Sequence, residues 1–275
     1  MERRELLGPD GVPVATYIRA EERDAGPCAA ELVPCPGVSP DAVARATAEQ
    51  LGGILVSTEV PALQKTLLGA GAQVRRRVEL MSVSVARAQA DPGLEPPHPP
   101  ARVPRGVTIV PFRGTVPPEL GAVSLAAYPP SHPDHPVSDT AAALAPLRRF
   151  VEGGPGWAPL DAARLAVREE DGQAVGAAII AAFAGESPRG GPHLAQLFRL
   201  PGEELRGLGA ALLDAALIAA RRGGCATVGL AVNADNPARR LYLSRGFASF
   251  ALSVTVRMPG EPRSGSPARR RRTDP

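Results

Sequence analysis

The chain has 275 residues, 44% of them hydrophobic, with 29 glycines and 31 prolines; this supplies two modest cores and excludes a fibrous or wholly disordered protein. The net charge of +3 is carried by the last residues, where Arg263 and arginines 269–272 outnumber Glu261 and Asp274. The rest is neutral, and with six Phe, three Tyr and one Trp it lacks the basic face and stacking aromatics of a nucleic-acid reader.

In chain order, the apolar patterns predict strands at 14–20 and 31–34, a helix at 40–51, a strand at 54–57, a helix at 61–68 and a strand at 74–85. Residues 90–104 are rich in Pro and Gly without an apolar period and read as a linker. A strand follows at 107–112, then a helix at 118–127, a loop with His132 and His135 among prolines, and a helix at 140–152 that Pro146 must kink or sit near the end of. The strand at 163–169 turns at Asp171-Gly172 into the strand at 174–184, a strong hairpin signal. A strand at 193–199 leads through Pro201 to Arg206-Gly207-Leu208-Gly209, which opens a helix to about Arg222. Its Leu208, Leu212, Ala216 and Ala220 fall on one face, and Leu213 and Leu217 widen the stripe. Gly223-Gly224 stops that helix. A strand at 227–232, a helix at 237–245 begun by Pro237 and a strand at 247–258 complete the series.

No apolar run reaches the roughly 20 residues of a membrane-crossing helix. The charged start, Met1-Glu2-Arg3-Arg4-Glu5, is no secretory signal, so a cytoplasmic setting is expected. Cys28, Cys35 and Cys225 have neither a zinc-site nor a disulfide spacing and read as reduced, mostly buried thiols. His132 and His135 flank Asp134 in a stiff loop without a third ligand cluster, so no metal is expected.

The glycine turn carries the chemistry. Unpaired N–H groups and the positive end of the dipole converge at the head of a helix, and two glycines allow a diphosphate to approach the backbone. The turn lacks the third glycine of a dinucleotide fingerprint and the Gly-Lys-Ser/Thr of a P-loop, so a nucleotide-dependent oxidoreductase is disfavoured.

Downstream stands Asn233-Ala234-Asp235-Asn236-Pro237-Ala238-Arg239-Arg240-Leu241-Tyr242, closed by Gly246-Phe247. With this segment in place, residues 107–259 resemble the GNAT superfamily of N-acetyltransferases. The turn is similar to the family's Q/R-x-x-G-x-G/A acetyl-CoA loop and the second segment to its N-x-x-A-x-x-L-Y-x-x-x-G-F pattern. Residues 129–136 and 191–199 are also similar to segments of bacterial members.

The resemblance implies a GNAT fold, α/β, with a mixed central sheet flanked by helices, and acetyl-CoA as cosubstrate. It implies that the carrier lies along Phe198, Arg199 and Leu200 and in the loop of Glu204, Leu205, Arg206, Gly207, Leu208, Gly209 and Ala210, with Asn236, Ala238 and Tyr242 beside its arm. It places the His132–His135 loop at the acceptor pocket and makes Tyr242 the acid, since a phenol near 10 stays protonated beside a thiol near 8.5. Asn236 serves equally well as an N-cap ahead of Pro237.

Glu204 departs from the family's Gln or Arg; beside a diphosphate it must point away or pair with Arg206. Gln196 stands where related sequences often carry an acid, leaving a water chain, His193 or Glu203 as the base.

Residues 54–83 can be laid on 230–259 at an offset of 176, with Val56 on Val232 and Pro61-Ala62 on Pro237-Ala238. The alternative is chance similarity of two helix-to-strand units. If it is a repeat, Val60 and Thr66 take the places of Asn236 and Tyr242.

The expected organisation is a smaller, truncated GNAT-like domain at 1–89, a linker at 90–105, a GNAT domain at 106–259 and a disordered basic tail at 260–275. The expected activity is direct acetyl transfer to a primary amine of unknown identity, without nucleic-acid or membrane partners. The oligomeric state is open, a homodimer being one option. A catalytically silent acyl-CoA-binding or protein-interaction module is the alternative.

Overall fold

The computed structural model describes residues 3–22, 26–86, 101–135 and 139–260. Most of the predicted linker, and the predicted tail beyond Gly260, lie outside the described residues. Strands β1 (Arg3–Leu7), β2 (Pro13–Glu22) and β3 (Gly26–Pro34) precede α1 (Pro40–Gln50), β4 (Leu55–Thr58), α2 (Pro61–Gly69) and β5 (Gln73–Ser84). Then come β6 (Val107–Pro111), α3 (Leu120–Ala127), α4 (Thr140–Val151), β7 (Trp157–Pro159), β8 (Arg164–Arg168), β9 (Ala174–Phe183) and β10 (Gly191–Arg199). The chain closes with α5 (Leu208–Arg222), β11 (Thr227–Asn233), α6 (Arg239–Ser244) and β12 (Ala248–Arg257).

The chain forms two compact units, divided not at the linker but within β5 and β12: one runs to Val78 and resumes at Ala251, the other is Glu79–Phe250. Core packing accounts for this. Met81, near the end of β5, is fully buried with Tyr242 and Phe247, whereas Val254 and Val256 of β12 are buried with Leu32, Val56 and Leu63.

In the first unit the strand order is β1-β2-β3-β4-β12, and β3 and β4 are parallel. The strand β1 leaves no sequence pattern because only Leu6 is buried; pairing with β2 holds it. Ser39 caps α1 by accepting the Ala42 N–H at 3.3 Å, and α2 buries Leu63 and Leu67, one turn apart. The parallel pairing of β3 with β4 covers Cys28 and Ala29, and Glu31 follows with φ +52° at an irregularity in the register. Side chains of β4 take up the backbone groups there. The Glu31 N–H donates to Ser57 Oγ at 3.2 Å, and buried Thr58 Oγ1 donates to Leu32 O at 2.8 Å.

In the second unit the order is β11-β10-β9-β8-β6, with β7 against β9. Val175, Ala178 and Ile180 of β9 lie in the core with α5, while Ala177, Ile179 and Ala181 lie in a core with α3 and α4. Both faces of β9 are therefore buried. Gly176 is required where it stands, because a Cβ would meet Phe198 O at 2.8 Å. Leu208, Leu212 and Leu213 of α5 are fully buried, each contributing about 1.5–3 kcal/mol. The helix ends at Gly223, and Gly224 takes φ +82°. Pro146 lies inside α4, not at its end.

Elements β4–α2–β5 and β11–α6–β12 follow the same order. Each half also has a parallel strand pair that stops two residues before an irregularity: Ala29 with Val56 before Glu31, and His193 with Gly229 before the bulge at Ala195. The architecture is that of a mixed α/β sheet flanked by helices, with the N-terminal half repeating the later arrangement in shorter form.

Candidate active site

The strand β10 runs out at Arg199, whose guanidinium donates to Leu200 O at 2.7 Å and Gly202 O at 3.2 Å, bending the chain into a short 3-10 turn at Glu203–Leu205. Leu205 is buried and anchors that turn. Gly207 then takes φ +87° at the head of α5, a left-handed conformation that a side chain strains. No side chain caps the helix, and its first internal bond runs from Ala211 N–H to Gly207 O at 3.1 Å. The N–H groups of Leu208, Gly209 and Ala210 thus have no partner within the helix and point along its axis. A Cβ on Gly209 would meet nothing within 4 Å, and one on Gly207 only Arg102 O at 4.0 Å. Among the described residues nothing fills the space over the glycines.

Of the two options open to Glu204, pairing with Arg206 is not the one taken. Arg206 lies 3.4 Å from Glu203, not Glu204, with the two side chains 82% and 91% exposed. An ion pair so exposed holds Arg206 only weakly. The carboxylate of Glu204 folds back against Gly202. Glu203, one of the two side chains named as a base, therefore sits in solvent on the loop.

Next to the turn, β10 and β11 pair at a single position, His193 with Gly229. The bulge at Ala195 turns the rest of β10 toward β9. Leu200 N–H donates to Val175 O at 2.8 Å, and alternation along the ladder directs Phe198 the same way. Leu197 and Arg199 turn their backbone groups to the opposite side. Of the three backbone positions that the resemblance implied, Arg199 alone presents its N–H there; those of Phe198 and Leu200 face β9.

Tyr242 lies in α6, buried against Phe247 at 5.8 Å between ring centroids. Burial first, and then the charge of Asp134, push its phenol well above the ordinary value. Tyr128, at the end of α3, donates to Leu197 O at 2.9 Å; burial, Tyr242 and Asp134 push its phenol up as well. Asp134 joins these elements. Its two carboxylate oxygens accept from the carboxamides of Asn233 and Asn236, and Asn233 also donates to Pro133 O at 3.0 Å. The loop after Tyr128 is thereby latched to the end of β11 and to the turn before α6.

Asn236 Oδ1 accepts the Ala238 N–H at 2.7 Å, forming an Asx turn that delays α6 to Arg239, two residues later than predicted. The histidines of the loop brace it. The ring of His132 meets that of Tyr128 edge-on at 4.9 Å and its Nδ1 accepts the Asp134 N–H at 3.0 Å, while His135 Nδ1 donates to Tyr128 O at 2.5 Å.

His193 packs beside Trp157 and Phe183 at the start of β10, with Nδ1 3.2 Å from Gly191 O. Burial lowers its basicity. It precedes Leu197 by four strand residues, roughly 13 Å, and is not brought to the tyrosines. Among the described residues no group of His, Cys, Asp and Glu could hold a metal ion. Only Cys28 of the three thiols is fully buried, and burial raises the Cys225 thiol. Sequence reasoning passed over Tyr128 and the latching role of Asp134. The Pro- and His-rich loop was the available signal, and its histidines drew attention from the carboxylate between them.

The acetyltransferase (GNAT) family model matches residues 127–247, a span that contains the glycine turn, both asparagines, Asp134 and both tyrosines. The chain carries a GNAT domain. Among solved structures, a GCN5-related N-acetyltransferase from Sphaerobacter thermophilus is 18% identical with a TM-score of 0.63, over 94% of this chain and 82% of that one. A tandem GNAT protein from the clavulanic acid biosynthesis pathway is 17% identical with a TM-score of 0.55, over 91% and 81%. A GCN5-related N-acetyltransferase from Kribbella flavida is 20% identical with a TM-score of 0.54, over 94% and 90%. These likenesses establish the GNAT fold along nearly the whole chain. No curated protein matches the sequence at a significant level.

Proposed function

We propose that this protein is an acetyl-CoA-dependent N-acetyltransferase acting directly on a primary amine. The observation that carries the reading is the open head of α5, where Gly207 and Gly209 leave the partly exposed N–H groups of Gly209 and Ala210 free of a helix partner. These donors, the helix dipole and exposed Arg206 fit a diphosphate, and acetyl-CoA would supply an acetyl group activated as a thioester. The N–H of Arg199, on the side of β10 away from β9, is the donor suited to polarising the thioester carbonyl. Tyr242 holds its proton at neutral pH and offers an O–H donor to charge developing on the leaving sulfur. Cys225, its thiol pushed up by burial, is poorly suited to be a nucleophile, which favours direct transfer. The fold partners named N-acetyltransferases support the same class of reaction.

Binding without turnover is the second reading, favoured by Gln196, which cannot serve as a base at neutral pH. Calorimetry with acetyl-CoA and continuous thiol release with a panel of amines, amino acids and peptides separate the two. Steady release that Tyr242→Phe lowers about 10- to 100-fold between about pH 6 and 9 supports the enzyme. Binding with no release from any acceptor overturns it.

A further inference from the structure

Helix α6 has six residues and no side-chain cap hydrogen bond, too short to hold its place by its own hydrogen bonds. Two largely buried carboxylates grip its ends. Glu79 Oε1 lies 2.8 Å from Nε of Arg239, the first residue of the helix, and the Glu79 side chain is 13% exposed. Asp214 of α5 holds Arg245, just past the last residue, through Nε at 2.7 Å and Nη2 at 3.2 Å. Asp214 is itself fixed by the Ala101 N–H at 2.8 Å.

Tyr242 stands midway between the two arginines, one turn from each, so both lie on its side of the helix. Between the grips the bed is apolar: Met81, two residues after Glu79 on the same face of β5, is buried in the cluster that holds Tyr242, and Val83 lies beside Gly246. Among the described residues, Glu79 Oε2 is buried without a hydrogen-bond partner. A packing role alone does not account for a carboxylate here, because an apolar side chain of similar volume would avoid that cost.

We propose that Glu79 and Asp214 are positioning residues for Tyr242, bracketing α6 so that the phenol is held at the reacting centre while the diphosphate cradle is set independently by α5. Glu79 lies on β5 within the unit Glu79–Phe250, which also carries α5 and α6. The inference rests on the acetyltransferase reading for its kinetic part only.

The test uses the full-length protein labelled with ¹³C-tyrosine, whose three tyrosines give separable signals assigned through Tyr242→Phe. In Glu79→Gln and in Asp214→Asn the Tyr242 signal should move and begin to titrate at lower pH than in the unmodified protein, with the signal of Tyr17, which packs in the other core, unchanged. The kcat for thiol release should fall about 10- to 100-fold, with the KM for acetyl-CoA within about twofold, because the cradle is intact. Retained acetyl-CoA binding shows that the variants are folded, and exchanging the pair as Glu79→Arg with Arg239→Glu should restore part of kcat. An unmoved Tyr242 signal overturns the proposal whatever the activity, as does a proportional change of kcat and KM. If the unmodified protein releases no thiol at all, the acetyltransferase reading fails, and the tyrosine signals still decide the positioning.

Discussion

Asp134 and Asn236 are hydrogen-bonded across 102 positions of sequence, the carboxylate accepting from the carboxamide that also shapes the turn into α6. One bond thus joins the loop after Tyr128 to the helix of Tyr242. The same carboxylate holds Asn233, so the contact depends on a single side chain meeting two donors.

Replacing Asp134 by Ala removes the carboxylate that both carboxamides share, while Asn233 keeps its bond to Pro133 O. A partly buried donor that loses its acceptor, as Asn236 does, costs about 1–3 kcal/mol, readable by urea unfolding. The rate with a chosen amine should fall by an order of magnitude or more, while acetyl-CoA affinity stays within a few-fold because α5 is untouched. Equal losses of acceptor rate and carrier affinity would contradict the latch.

The two glycines of the turn should respond in opposite ways to Ala. Gly207 has φ +87°, so Gly207→Ala should lower stability by about 1–2 kcal/mol. Gly209 lies within the helix with open space around it, and Gly209→Ala should raise stability by about 0.5–1 kcal/mol. The added methyl group would nevertheless occupy the approach to the Gly209 N–H and weaken acetyl-CoA at least about tenfold. Calorimetry on a stabilised Gly209→Ala protein with unchanged affinity would remove the cradle.

The buried phenols predict an alkaline limit to stability. Tyr128 and Tyr242 both have folded values raised above their ordinary one. Below about pH 10 neither state ionises them and their contribution is fully present; above it only the unfolded chain loses the protons, so stability falls as pH rises. Each phenol accounts for roughly 1.4 kcal/mol per pH unit in that window. Urea midpoints from about pH 9 to 11 should drop steeply, and less steeply in Tyr128→Phe or Tyr242→Phe. Identical slopes in all three proteins would mean that the phenols are open to solvent.

How much of the site was legible depended on sequence distance. Gly207, Gly209 and Tyr242 belong to short segments whose spacing follows from one strand-to-helix turn and one helix, so a linear reading reaches them. The partners of Tyr242 do not: Asp134, Glu79 and Asp214 come from a loop, a distant strand and another helix, and none bears a local pattern that sets it apart from a solvated acid. The sequence left Glu204 either pointing away or paired with Arg206; Arg206 meets Glu203 instead because the two lie at i, i+3 across the 3-10 turn.

The sequence by itself determined the elements with strong periods, the buried stripe of α5, the helix that starts after a glycine turn and the order of both halves, since these depend on which neighbours in sequence are apolar or permit a left-handed turn. Only the tertiary structure decided that the units divide within β5 and β12, that one half takes up its backbone groups with Ser57 and Thr58, and that a loop carboxylate ties two tyrosines together. Those outcomes rest on burial and on hydrogen bonds between residues far apart in the chain, whose energies arise when the strands and helices pack.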